Sequence, residues 1–261
     1  MRIAICIKKD IHGLIAARVL ARALPAAELG FFCSVKTRGA EGDIPGLRLL
    51  KLLEREIAID ALATQQRQVP GVPHPDAWVP LTNLKRDGGA ATLLAFRPDL
   101  VLSVRFSLIF PERVIDAVPM GIINVHPGAL PGYRGLFAPF WQVARGERSL
   151  HCTVHRVVDR GIDTGPILGV ATVQTDLRRS LLWHSAALYR AGAEIAAARA
   201  MRLMRGEDLA ERPQPSGGAY WRFPAEADFA GLPIPLVTAR DYATVLAEAF
   251  DGTPEAQVAA A

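Results

Sequence analysis

Apolar residues recur along this chain in two alternating ways, as short continuous runs and as longer stretches with helical spacing. Ile3, Ala4, Ile5, Cys6 and Ile7 form an unbroken run, the pattern of a central parallel strand covered on both faces. Residues 13–24 then carry Leu14, Ala17, Leu20 and Leu24 at the spacing of one helical face. A strand over 29–35 and an amphipathic helix over 47–57, with Leu49, Leu50, Leu53 and Ile57 on one side, continue the alternation. From 60 to 87 the periodicity fades, and Pro70, Pro73, Pro75 and Pro80 break any long element. One short strand near 78–80 is expected there. Helix 88–96, strand 100–104, helix 111–118 opened by Pro111, and strand 122–125 restore the order.

The second half predicts a short helix over 138–145, strands over 151–158 and 167–174, and a long Ala- and Leu-rich helix over 180–204 that stops at Gly206. The composition then shifts to Pro213, Pro215, Gly217, Gly218, Pro224, Pro233 and Pro235, before a last helix over 239–250 and an Ala-rich tail, 258–261, expected to fray. The pattern is α/β: a Rossmann-like, doubly wound, mostly parallel sheet with helices on both faces and a short C-terminal extension. We divide it into a unit of residues 1–205 and an extension of 206–261.

With 261 residues, half of them hydrophobic and 21% charged, the chain has enough material for one sizeable core. No apolar run is long enough for a bilayer, and the first strand is followed by Lys8, Lys9 and Asp10 without a cleavage pattern. Cys6, Cys33 and Cys152 are few, odd in number and far apart, which fits a reducing cytoplasm. No CxxC or HExxH spacing suggests a metal. The net charge of +4 comes from scattered basic residues, a solvated surface rather than a nucleic-acid footprint.

Chemistry concentrates where the strand 122–125 ends. Asn124 and His126 lie two apart and share one face of that strand. Pro127, Gly128, Pro131, Gly132 and Gly135 then bend the backbone sharply at a strand end, where open α/β sheets bind ligands. Asn124, His126, Pro127, Leu130, Pro131, Tyr133, Arg134 and Gly135, followed by Asp163-Thr164-Gly165, resemble the two ordered motifs of the folate-dependent formyltransferase family. The resemblance covers about residues 95–205.

That resemblance implies transfer of a formyl group from 10-formyltetrahydrofolate to an amine. It assigns catalysis to Asn124, His126 and Asp163: amide and imidazolium donate to the developing oxyanion, while Asp163 orients His126 and assists proton transfer through water. The residue types suit those jobs, and a carboxylate beside an imidazole favours its charged, donating form. By the same analogy Phe106, Ser107, Leu108 and Ile109 form one wall of the folate pocket, and Leu130, Val158, Asp159, Gly161 and Ile162 the other. Lys8, Lys9 and His12 at the first strand end, and Tyr133 and Arg134 in the loop, are candidates for the acceptor. Their bland alternatives are a solvated basic cluster and a loop anchor. Two departures stand out: Gly128 replaces the family's Ser after His-Pro, and Gly132 stands where a basic residue is common.

The favoured acceptor is a small-molecule amine, first an amino sugar on a nucleotide, then a hydroxylated amino acid of siderophore assembly, then glycinamide ribonucleotide, for which no Gly- and Ser-rich phosphate loop follows the first strand. The residues after Gly206 look short for the RNA-facing barrel expected of a tRNA-directed member, so tRNA is expected to be the less favoured acceptor. Hydrolysis of the same donor is a second enzymatic reading, and a non-catalytic folate-binding module a third. A cytoplasmic enzyme without membrane or nucleic-acid partner is expected, and a homodimer is compatible with the sequence.

Overall fold

Strand β1 (Arg2–Lys8) is an interior strand of a seven-stranded sheet, between β2 and β4, and is buried on both faces. Ile3, Ile5 and Ile7 join one core layer, Ala4 and Cys6 the other. The computed structural model describes residues 1–35, 43–64, 71–85 and 88–251. Pro70 and the tail 258–261 lie outside the described residues.

The elements after β1 run α1 (Ile11–Ala23), β2 (Glu28–Ser34), α2 (Pro45–Lys51), a π-helical turn (Leu52–Ile57), α3 (Ala58–Thr64), β3 (Val79–Leu81), α4 (Gly89–Ala95), β4 (Leu100–Val104), α5 (Glu112–Ile115) and β5 (Ile122–His126). After them come β6 (Arg134–Gly135), α6 (Ala138–Ala144), β7 (Ser149–Val157), β8 (Ile167–Gln174), α7 (Leu181–Met204), β9 (Tyr220–Trp221), α8 (Glu226–Ala230) and α9 (Ala239–Asp251). The sheet order is β3-β2-β1-β4-β5-β7-β8. The first five strands are mutually parallel, while β7 runs antiparallel to both β5 and β8. This is the mostly parallel, Rossmann-like architecture expected from the pattern. Winding reverses between β1 and β4, so their carboxyl ends frame a crevice.

Asp10 caps α1 through Gly13 N–H at 2.9 Å, and Ser180 caps α7 through Trp183 N–H at 3.4 Å, each contact of a kind that adds about 1 kcal/mol. Helix α7 lies directly on the sheet. A Cβ on Gly192 would meet Val125 Cγ1 and Cys152 Sγ at 2.5 Å, so glycine is required for that close approach. The three cysteines are buried and unpaired. Among the described residues, no helix is long and apolar enough to cross a membrane.

The helical segment 47–57 presents a different face from the one expected. Leu47, Leu50 and Glu54 turn inward, whereas Leu49, Leu52 and Ile57 are exposed. The inward Glu54 carboxylate is held by Arg105 and His12, and the π turn re-phases the helix at this point. Helix α5 is shorter than expected, with Pro111 preceding it as the N-cap.

Beyond Gly206 the chain bridges to β8 through Arg212 and Ile167 and then forms a separate two-stranded sheet. β9 pairs in parallel with β6, and α9 docks through Asp241, which accepts from Ser180 N–H at 2.6 Å and pairs with Arg179 at 3.2 Å.

Candidate active site

Three polar side chains form a row across neighbouring strands at the carboxyl end of the parallel sheet. Register places Ser103 of β4 beside Asn124 of β5, and Asn124 opposite His155 of β7. The His155 Nδ1 is 2.7 Å from the Arg156 carbonyl. A carbonyl only accepts, so Nδ1 carries the proton and Nε2 of the neutral ring is an acceptor. Asn124 Nδ2 faces that nitrogen at 3.1 Å, while Asn124 Oδ1 accepts from Ser103 Oγ–H at 2.8 Å. The amide is thus oriented by both flanking strands, and its second Nδ2–H is the one available to a ligand.

His126, at the end of β5, has its tautomer fixed in the same way. Its Nε2 donates to the Tyr133 carbonyl at 2.6 Å, leaving Nδ1 as the nitrogen through which a proton can move. Nδ1 lies 3.4 Å from Asp163 Oδ2. The bond to Tyr133 needs Gly128: a Cβ there would come within 2.6 Å of His126 Nε2 and 2.8 Å of the Tyr133 oxygen. The departure from the family's serine therefore has a steric meaning in this chain.

Asp163 arrives from the β7–β8 connection with a left-handed φ of 56°, a conformation that asparagine and aspartate tolerate better than most L-residues. Its Oδ2 accepts from Gly135 N–H at 2.9 Å, and its Oδ1 is 3.5 Å from His155 Nε2. Burial pushes this carboxyl up, but the neighbouring His126 and the Gly135 amide outweigh it and hold the group at about 2. Asp163 is a carboxylate throughout the neutral range.

These groups open onto a cavity of about 270 Å³. Its lining includes the apolar and aromatic residues Phe106, Leu108, Ile109, Phe110, Val158 and Ile162; Phe106 and Phe110 stack at 5.3 Å. Ser107, Asp159 and Gly161 also line it. So do the charged residues Lys8, Asp10, Glu54 and Arg105, from β1 and the segments after β1 and β4 and from the π-helical turn. Arg105 donates through Nε to Asp10 and through Nη2 to Glu54, both at 2.5 Å, and Glu54 Oε1 is 3.2 Å from His12 Nε2. Burial raises the Glu54 carboxyl, but Arg105, His12 and Lys8 draw it down to about 2.

The structure brings Asn124, His126 and Asp163 to one cavity, together with eight of the nine residues expected to form the folate walls: Phe106, Ser107, Leu108, Ile109, Val158, Asp159, Gly161 and Ile162. Leu130 lies off the cavity wall, its amide donating to Thr153 Oγ1 at 3.2 Å. Of the acceptor candidates, Lys8 lines the cavity. Lys9 pairs with Asp76 instead, and His12 is fully buried against Tyr189, ring centres 5.4 Å apart. Tyr133 acts through its carbonyl while its hydroxyl donates to Glu147 at 2.5 Å, and Arg134 donates to the Gly217 carbonyl at 3.1 Å. Both are loop anchors. Sequence reasoning missed His155, Ser103 and the Arg105 network. The one signal for His155 was a histidine in an alternating strand that ends just before the Asp163 turn.

Comparison with known proteins bears on the family and the fold. The sequence profile of the family described as "Formyl transferase" matches residues 60–183, a span containing Asn124, His126, His155 and Asp163. Over those residues the chain is similar to the formyl transferase family. A methionyl-tRNA formyltransferase of Synechococcus sp. (strain JA-3-3Ab) is 33% identical over 155 residues, covering 59% of this chain and 46% of the relative. One from Desulfotalea psychrophila is 37% identical over 87 residues, 33% of this chain and 27% of the relative. The chain thus spans less than half the length of these formyltransferases. Among solved structures, a sugar N-formyltransferase from Shewanella sp FDAARGOS_354 superposes with a TM-score of 0.59 at 16% identity, over 95% of this chain and 87% of that one. HypX from Aquifex aeolicus in complex with tetrahydrofolic acid gives 0.54 at 16% identity, over 87% of this chain and 30% of that one. At these identities the chain shares a fold with both.

Proposed function

We propose that this chain is a folate-dependent N-formyltransferase, moving a formyl group from 10-formyltetrahydrofolate to an amine of a small-molecule acceptor, with a nucleotide-linked amino sugar as the first candidate. The observation that carries this reading is the convergence of the Asn124 amide, the His126 Nδ1 edge and the Asp163 carboxylate on one cavity. The donor supplies a formyl carbon bound to an aryl amine nitrogen. Transfer puts negative charge on the formyl oxygen and positive charge on the attacking nitrogen. The outward Nδ2–H of Asn124 is a donor to that oxygen, pre-aimed by Ser103 and His155. His126, protonated at Nδ1 as well, is a second donor, and Asp163 beside it balances that charge; as the bond from the formyl carbon to the donor nitrogen breaks, the proton lost by the amine passes through water beside Asp163 to that nitrogen, and tetrahydrofolate leaves.

The lining of the cavity suits two different ligands. The Phe106 to Phe110 segment, with Val158 and Ile162, offers the flat apolar surface that a pterin requires. The charged residues Lys8, Asp10, Glu54 and Arg105 suit a polar acceptor. That a sugar N-formyltransferase spans 95% of this chain adds to the preference for an amino sugar, and tetrahydrofolic acid bound to HypX adds to that for the donor.

The test is a panel of amines incubated with 10-formyltetrahydrofolate and read by mass spectrometry. It contains nucleotide-linked amino sugars, N-hydroxylated amino acids and initiator methionyl-tRNA, with an arm lacking any amine. An amino sugar heavier by one formyl group is the expected product. Formate released at the same rate without an amine would replace transfer by hydrolysis.

A further inference from the structure

Asp163 is held from a part of the chain that the motifs do not include. Gln214 directs both hydrogens of Nε2 to main-chain carbonyls of the Asp163 turn, that of Asp163 at 2.9 Å and that of Gly165 at 2.7 Å. Only the nitrogen of the amide can satisfy two carbonyls, so its orientation is fixed. The bonds fall on a residue whose φ of 56° is strained for a side chain with a Cβ.

The segment around Gln214 links the two catalytic loops. On one side Arg212 exchanges main-chain bonds with Ile167 at 2.7 and 2.9 Å, just after the Asp163 turn. On the other, Ala219 N–H donates to Pro131 at 3.2 Å, Arg134 N–H to Ala219 at 3.0 Å, and Leu136 N–H to Trp221 at 2.9 Å. Trp221 Nε1–H adds a bond to the Gly132 carbonyl at 2.9 Å. Pairing on this edge uses the amides of Arg134 and Leu136, so that of Gly135 points the other way, to Asp163 Oδ2. The strap thus sets both the main-chain position of Asp163 and the donor to its carboxylate.

We infer that Gln214 is a positioning residue for Asp163, and that residues 212–221 form a strap fixing the spacing between the His126 loop and the Asp163 turn. The catalytic part of this inference rests on the formyltransferase reading. Gln214 does not line the cavity. Its effect is expected on turnover, not on donor binding.

The experiment compares the wild type with Gln214→Ala and with the isosteric Gln214→Glu. Gln214→Ala is expected to lower kcat about tenfold or more, the usual scale for an outer-shell partner, with donor KM changed less than about twofold. Gln214→Glu, facing two carbonyls without donors when ionised, is expected to be worse near neutrality and to recover relative to wild type as the pH falls and its carboxyl gains a hydrogen. An independent readout needs no substrate: carbon NMR titration of the Asp163 carboxyl is expected to move upward in both variants. A folded Gln214→Ala with wild-type kcat, pH profile and Asp163 titration would overturn the inference. If it does not fold, a flat ratio of Gln214→Glu to wild type across pH does so. A wild type transferring formyl to no amine removes the functional reading alone, and the titration then decides the role of Gln214 by itself.

Discussion

Asn124 Nδ2 lies 3.1 Å from Nε2 of His155, a residue directly opposite on the antiparallel strand β7. Because His155 Nδ1–H is committed to the Arg156 carbonyl, the imidazole acts as an acceptor that aims the amide. His155→Ala is expected to lower kcat about tenfold to a hundredfold with little change in donor KM, and His155→Gln, which keeps an acceptor, to recover part of the loss. Steady-state kinetics of the two variants checks this.

Gly128 is the second chain-specific feature of the site. A β-carbon there would crowd His126 Nε2, the Tyr133 oxygen and Ala138 Cβ, all within 2.8 Å. Gly128→Ala is expected to cost about 1–3 kcal/mol of stability through overpacking and to lower turnover by turning the His126 ring. Thermal melts and kinetics on the same preparation measure both.

Asp163 predicts a stability dependence on the acid side. Its carboxyl is lowered from an ordinary 3.8 to about 2 in the fold, so its contribution is fully present above the ordinary value and is lost as the pH falls through about 2. With a shift of about two units, that contribution is on the order of 2 kcal/mol. Asp163→Asn lacks it. The stability gap between wild type and Asp163→Asn should therefore narrow from about pH 4 downward in urea melts taken across pH.

Arg105 spans two buried carboxylates, Asp10 and Glu54. Removing it takes the guanidinium from both, leaving Glu54 with His12 and Asp10 with the Gly13 amide, and breaking a buried ion pair typically costs about 3–5 kcal/mol. Arg105→Met is expected to destabilise on that scale, and Arg105→Lys to restore little, because a single ammonium nitrogen cannot replace Nε and Nη2, which reach Asp10 and Glu54 separately from one planar group. Adding Glu54→Gln to Arg105→Met should return part of the stability in chemical denaturation.

The parts legible in the sequence are those encoded locally. The apolar run 3–7 reads as a central strand, and Asn124 and His126 stand out because two polar residues end an otherwise β-branched strand before a Pro-Gly loop. Asp163 is visible through its turn. His155 is not, because nothing in an alternating strand reveals which residue will lie across from it; the register with β5 makes it functional. Gln214, separated from Asp163 by 51 positions, leaves no local trace. The helix face at 47–57 was misread for a related reason: apolar spacing favoured Leu49 and Ile57, while the distant Arg105 draws Glu54 inward.

The central claim is that the Asn124 amide serves the transferring formyl group rather than the fold. Single-turnover transfer from 10-formyltetrahydrofolate, measured beside donor affinity in wild type and Asn124→Ala, tests it most directly. The account predicts unchanged donor affinity and transfer reduced by at least about a hundredfold, the scale for loss of one oxyanion donor. Transfer at the wild-type rate by a folded Asn124→Ala would contradict it.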